Sequence, residues 1–317
     1  MKRQSGLKIY FASDIHGSER CFRKFLGAVK YYGAQVLILG GDVTGKAMVP
    51  VIAQAGGQHQ AMFHGVVRDL ADDELNEFEK GVRFDGFYPY RCDPDEYTRL
   101  EQDAVHRDQI FHRLMVEQLE MWVALAGERL TGTGTRVFMM PGNDDEFGID
   151  PALESDFVTN VDGRVVDIDG IEMISCGWVS RTPWDSPREE DESSLEARIE
   201  KMCAEVHDPS RAIFNLHCPP YGSKLDLAPK ITAELKMVTR AGDAVMESCG
   251  SVAVRNIIEK YQPMLSLHGH IHESRAVDRI GRTVSVNPGS RYSEGSLDGV
   301  LIEIAKDNVK QCQLVVG

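Results

Sequence analysis

The 317-residue chain has no run approaching the ~18 uninterrupted apolar residues of a membrane helix. Its beginning has no signal-peptide apolar region: Lys2 and Arg3 are followed by Gln4 and Ser5, then directly by a strand-like run. Its seven cysteines are scattered without a C-x-x-C pair, which argues against a disulfide scaffold or a zinc ribbon and fits a reducing compartment. A cytoplasmic location and no membrane contact are the expectations. Positive charge is short too. Lys and Arg number 35 against 49 Asp and Glu, a net of −14, so the overall field that holds nucleic acid is missing and nucleic acid is not expected as a partner. No internal repeat is present. Hydrophobic residues at 42% and charged residues at 26% exclude a disordered or collagenous chain.

What is present begins as a strand–helix–strand unit. Leu7 to Ser13 reads as a buried strand ending at Asp14. Residues 18–31 carry Phe22, Phe25, Leu26 and Val29 on one helical face, and Gln35 to Leu39 is a second apolar strand closed by Gly40-Gly41-Asp42. The core sheet is therefore expected to be parallel there and covered on both faces. Residues 46–130 interrupt the pattern. Within them, 69–120 hold 15 acidic and 6 basic side chains, a net of −9. From Tyr97 to Ala126, Leu100, Ala104, Phe111, Leu114, Leu119 and Trp122 recur at helical spacing, which predicts one long helix. The segment reads as a helical, acidic insertion within a single domain spanning 1–317. Packing on the core is the plain reading; a homo-oligomer or a protein partner held through 46–130 stays open.

The sheet resumes at Thr135 to Met140, followed by Pro141-Gly142-Asn143-Asp144-Asp145. Two short strands near 164–168 and 171–176 flank Asp169-Gly170, a hairpin turn signal. Residues 181–194 read as a polar surface loop. A helix near 194–206 leads to the strand Ala212 to Leu216, ending at His217. A helix near 251–261 leads to the strand MLSL, ending in His268-Gly269-His270-Ile271-His272. Further strands lie near 275–278, 282–286, 298–305 and 309–316.

Placement carries the functional signal. Five apolar strands each end in metal-competent residues: Asp14 and His16; Asp42; Asn143; His217; His270 and His272. Ligands of α/β sheets collect outside the carboxyl ends of strands, so these clusters can converge. Taken singly, each is an ordinary turn or a surface histidine; five in this order are not. Four His, two Asp and one Asn exceed the donors one ion needs, which suggests two ions sharing a carboxylate, with Asp42 as the natural bridge. Mixed N/O ligation without thiolate favours Mn, Fe, Zn, Ni or Co.

This series resembles the signature of the calcineurin-like metallophosphoesterases: D-x-H (Asp14-Ile15-His16), G-D (Gly41-Asp42), G-N-H-[DE] (Gly142-Asn143-Asp144-Asp145), a lone His (His217) and G-H-x-H (Gly269-His270-Ile271-His272). The stretch HCPPYGSKLD, then SLHGHIHES, then VNPGSRYSEG is most similar to the Icc-related, cyclic-AMP phosphodiesterase-like branch. The resemblance covers roughly 7–45 and 135–317. It implies an α/β, four-layer αββα sandwich. It implies one ion held by Asp14, His16, Asp42 and His272, and another by Asp42, Asn143, His217 and His270, manganese being the first choice. Asp145 would orient a ligand or loop. The implied reaction is attack of a metal-activated water on a phosphoester.

One position departs. The family usually has His after the Asn, credited with protonating the leaving group; here it is Asp144. Beside two divalent cations an Asp is expected to have a lowered pKa and to be a poor general acid. A phosphodiesterase is therefore expected ahead of a phosphomonoesterase, with a small phosphoester, a nucleotide among the options, as substrate. Tyr221 and Lys224 are weaker candidates for lining the substrate pocket. His268 reads as a core residue, Asn287 to Ser290 as a structural loop, and Cys218 shows no nucleophile constellation. The rival reading is a catalytically weak or idle scaffold on the same fold that binds a protein partner; the full set of seven ligands favours the enzyme.

Overall fold

The structure, a computed structural model, describes residues 6–232, 234–306 and 308–317. In chain order the first half runs β1 (Leu7–Ala12), α1 (Glu19–Tyr32), β2 (Val36–Gly40), β3 (Met48–Gln54), β4 (Gln58–Phe63), β5 (Val66–Ala71), α2 (Leu75–Phe84), β6 (Tyr88–Cys92), α3 (Pro94–Gln102), α4 (Ala104–Leu130) and β7 (Arg136–Met140). Then come β8 (Val158–Asn160), β9 (Val165–Ile168), β10 (Ile171–Cys176), α5 (Glu192–Cys203) and α6 (Val252–Tyr261).

Two six-stranded sheets form the core. In the first, β1, β2, β7 and β8 are parallel neighbours, in a register that sets Ile9 against Val36 and Val36 against Arg136. The antiparallel strands Asp298–Ala305 and Asn308–Val316 continue it beyond β1. In the second, β10, Ile213–Leu216, Leu265–Leu267 and Thr283–Asn287 are parallel, with β9 and Ala276–Ile280 as antiparallel edges.

Period two along each strand produces the layering. Ile9, Phe11, Val36, Ile38, Phe138 and Met140 face the second sheet, where Met173, Ile213, Leu265, Leu267 and Val286 meet them. The alternate residues Tyr10, Ala12, Leu37, Leu39, Val137 and Met139 face α1 and α4, whose Phe22, Phe25, Leu119 and Trp122 cover them. On the far side, Ile174, Phe214 and Leu216 pack under α5 and α6. Both faces of the central parallel strands are buried, and the result is the α/β, αββα sandwich the resemblance implies.

Local rules set the helix ends. Ser18, Asp191 and Ser251 accept N-cap hydrogen bonds from the backbone of Cys21, Ser194 and Val254. Asp169 and Gly170, both at positive φ, close the β9–β10 hairpin.

The segment 46–130 corrects the sequence reading. It was expected to be helical; residues 48–92 instead form a four-stranded sheet in the order β5-β4-β3-β6, with α2 on it. Val49, Val51, Ala61 and Phe63 alternate into a small core with Leu75, Phe78 and Val82. The β4–β5 turn is His64-Gly65, both in left-handed conformation, a two-residue hairpin turn. The single helix expected over Tyr97–Ala126 is two, broken at Asp103. Its extended backbone ends α3, and its side chain accepts the His106 N–H as the cap of α4. Beyond His217, the chain between 227 and 248 adds two small antiparallel strand pairs, one nested within the other in sequence, with no counterpart in the sequence reading.

Candidate metal centre

β1, β2 and β7 are parallel and adjacent, so the residues after them emerge at one edge of the first sheet; His217 and His270 follow parallel neighbours of the second. Face-to-face stacking brings the two edges together. Asp14, His16, Asp42 and His272 each place one ligand atom within 4.8 Å of all the others, and Asp42, His217 and His270 form a second such group. Asn143 joins the second group, its Oδ1 standing 3.2 Å from His217 Nε2 and 2.8 Å from His270 Nδ1. Donors ~2.0–2.2 Å from a common cation lie at most ~4.4 Å apart, so both groups fit a divalent ion with little contraction. Asp42 belongs to both.

The loops are bent to make this possible. Asp14, His16, Asp42 and His270 all have positive φ, between 39° and 66°. Such backbone costs of order 1–3 kcal/mol per residue and persists only when surroundings impose it. Here they do. The Asp14 carboxylate accepts the His270 N–H at 3.0 Å, and Ser290 Oγ donates to the Asp14 carbonyl at 2.6 Å. A Cβ at Gly142 would strike the Asp42 carboxylate, and one at Gly269 would strike Ser13 and the Asp14 carboxylate. These two glycines mark close approach of backbone to ligand.

Charge at the centre is set by the carboxylates. Burial alone would raise the pKa of Asp14 and Asp42, but His217, first among the neighbours, holds both low, Asp14 at about 2. Burial lowers His16 to about 3 and His270 to about 4, so both rings are neutral. For His217 burial is overcome by Asp42 and Asp14, and its pKa rises to about 10. Two buried anions that draw protons onto neighbouring rings are a donor set suited to cations. His217 Nδ1 donates to the Gly40 carbonyl at 2.8 Å, which fixes the ring and aims Nε2 inward. Among the described residues, His16 Nδ1 is buried without a hydrogen-bond partner.

Asp145 is fully buried and clamps two of the loops. Its carboxylate accepts the backbone N–H of Val43 at 2.9 Å, Thr44 at 2.8 Å and Gly142 at 2.7 Å. The lowered pKa expected of Asp144 was a property of the site with two cations bound, and the protein's own groups are a separate balance. Among the protein's own groups, burial first and the Asp42 charge second push its carboxyl up, and the Lys46 ammonium, 2.6 Å away, pulls the other way.

Several contributors escaped the sequence reading. Ser186 Oγ accepts the Asn143 amide N–H at 2.9 Å and donates to Glu189 at 2.6 Å, which turns Asn143 Oδ1 toward the histidines. The loop 181–194, expected as a plain surface loop, is thus tied to the centre. Its Arg188, 2% exposed, donates to the carbonyls of Asp145 and Glu146. Tyr292 lays its ring 4.7 Å from His16 and 6.0 Å from His272. None of these has a local signal, because each acts across a long sequence separation.

Other expected residues lie where the plain readings put them. His268 is buried, with Nδ1 2.8 Å from the Leu216 carbonyl. Asn287 Nδ2 donates to the carbonyls of Leu225, Gly269 and Ile271, and the Cys218 thiol is pushed up to about 12 by burial. Tyr221 and Lys224 are exposed, and among the described residues neither side chain hydrogen-bonds to the convergent set. His59, His64, His106, His112 and His207 each sit against a carboxylate elsewhere.

No family model matches the chain. Over 157 residues it is 29% identical to the uncharacterized protein MJ1162 of Methanocaldococcus jannaschii, a match covering 49% of this chain and 64% of that one, under two thirds of its length. Two solved structures align over nearly the whole chain. One has a TM-score of 0.58 at 15% identity and covers 98% of each chain. The other, TT1561 of Thermus thermophilus, has a TM-score of 0.54 at 13% identity and covers 99% of each. At these identities the likeness speaks for the fold alone, a mixed α/β architecture. Among the described residues no helix is long and apolar enough to cross a membrane.

Proposed function

We propose that the chain is a metal-dependent phosphoesterase with a dinuclear centre, acting on phosphodiesters in preference to monoesters. The observation that carries this is the membership of Asp42 in two separate donor groups at the ends of parallel strands. On this reading Asp14, His16, Asp42 and His272 hold one divalent ion, and Asp42, Asn143, His217 and His270 hold the other, with manganese the first candidate. Bound there, such ions would lower the pKa of water and offset the charge of the phosphoryl oxygens.

The chain's own residues do the rest. Gly40 orients His217, Ser186 orients Asn143, and Asp145 locks the Asp42 loop to the Asn143 loop. The preference for diesters rests on position 144. A carboxylate ion-paired to Lys46 is a poor proton donor to a basic leaving group, so esters with acidic leaving groups are favoured. The segment 46–130, an insertion within one domain on this reading, supports the site. Tyr88 Oη accepts the Gly45 N–H at 2.7 Å, Gln118 donates to the Gly17 carbonyl at 2.8 Å, and Ser18 Oγ donates to the Phe84 carbonyl at 2.8 Å.

The test is metal analysis of the purified protein together with hydrolysis of bis-p-nitrophenyl phosphate and p-nitrophenyl phosphate, Mn-loaded and chelated. Two ions per chain and metal-dependent turnover favouring the diester are expected. Turnover favouring the monoester would overturn the diester reading; two bound ions without turnover of either substrate would overturn the enzyme reading.

A further inference from the structure

The Asp at position 144 leaves the centre without the imidazole that the motif resemblance would place there, yet a cation does stand at that point. Lys46 follows β2 by six residues, at the first position of the insertion, and its Nζ lies 2.6 Å from Asp144 Oδ2. The Asp144 carboxylate is itself fixed. Its Oδ1 accepts the Asn143 amide N–H at 3.0 Å, and its backbone N–H donates to Asp42 Oδ1 at 3.0 Å. One bond from Asn143 and one from the shared carboxylate therefore locate the carboxylate that locates the ammonium.

The segment carrying Lys46 is equally constrained. Gly45 N–H is held by the buried Tyr88 hydroxyl, and a Cβ at Gly45 would meet the Gly86 carbonyl and the Tyr88 ring. Lys46 itself keeps 52% of its side chain exposed. The His16 and His272 rings, Asp42 and the Tyr292 phenol all sense its charge. A half-exposed ammonium carried on a constrained backbone and held beside an anionic centre by Asp144 has the chemistry of an anion contact.

We propose that Lys46, held by Asp144, is a substrate-binding residue that donates to a non-bridging phosphoryl oxygen of the bound ester. The pair replaces an imidazole that would give up a proton with an ammonium that keeps its own. It binds the phosphoryl group and does not protonate the leaving group. The inference rests on the phosphoesterase reading and adds to it the contact through which the insertion side of the molecule reaches the substrate.

The experiment uses the full chain, Mn-loaded, with inorganic phosphate as the probe in isothermal titration calorimetry. Mn content is measured on the same samples. Lys46→Ala is expected to weaken phosphate binding about ten- to a hundredfold, the range for one charge-assisted hydrogen bond, with Mn content unchanged. Lys46→Arg, which keeps the charge and the donors, is expected to restore most of the affinity. For bis-p-nitrophenyl phosphate the loss is expected in KM, with kcat within about threefold, as for a contact present in ground and transition states alike. Phosphate affinity in Lys46→Ala within twofold of the parent, at equal Mn content, would overturn the proposal, as would a parent that holds Mn but binds no phosphate. A parent that takes up no Mn would sink the phosphoesterase reading, and this proposal with it.

Discussion

Asn287 holds the His270 loop through one side chain, and removing it measures how much of the centre is imposed from outside. The residue is fully buried. Its Nδ2 donates to the carbonyls of Leu225, Gly269 and Ile271 at 3.2, 3.1 and 3.0 Å, and its Oδ1 accepts the Gly289 N–H at 2.8 Å. In Asn287→Ala the four groups lose unequally. The Gly269 carbonyl keeps the Ile271 N–H at 2.7 Å, and the Ile271 carbonyl keeps the Ser274 N–H at 3.1 Å. The Leu225 carbonyl and the Gly289 N–H are left buried without a partner among the described residues. At about 1–3 kcal/mol for each unsatisfied group, the loss is about 2–6 kcal/mol. For a chain of 317 residues that corresponds to a fall in Tm of roughly 3–9 °C. The positive φ of His270 loses its support in the same step, so Mn affinity is expected to fall as well. Differential scanning calorimetry on chelated protein reads the first effect and Mn titration the second. A Tm within about 2 °C of the parent, with unchanged Mn uptake, would refute the reasoning, because it would mean that water or a relaxed loop satisfies those groups.

Gly269→Ala, which drives a methyl into Ser13 and the Asp14 carboxylate, is expected to strip Mn while far-UV circular dichroism stays native; retention of two Mn ions would count against the packing argument. Asp145→Ala leaves three backbone N–H groups without their carboxylate, and a loss of at least about 3 kcal/mol in urea unfolding is expected, with Mn uptake abolished. Asp144→Asn is expected to slow hydrolysis of an activated diester by well under the ~10²-fold cost of losing a general acid; a larger fall at constant Mn content would make Asp144 a proton donor after all.

The sequence by itself determined the core and the chemistry at its rim. The near-continuous apolar runs in LKIYFA, VLILG and RVFMM are local, and they assign each strand two buried faces before any partner is known. The polar residues at the five strand ends are local as well, and the parallel-sheet rule says where they gather. The insertion was legible only in part. Its 3.6-residue periodicity announced helix but gave no sign of the break at Asp103, where a short polar side chain caps α4. Alternation in β3 to β5 is diluted by exposed positions, and that half was misread.

Tertiary structure alone decided what surrounds the donors. Lys46 meets Asp144 across the whole insertion, Ser186 meets Asn143 across 43 positions of chain, and Ser290 meets Asp14 across 276. No periodicity reports such pairs, because they exist only once two sheets have stacked and the loops at their edges have closed on each other. The strand ends name the atoms that can bind an ion. The stacking of the sheets decides which atoms face one another, and which side chains hold them there.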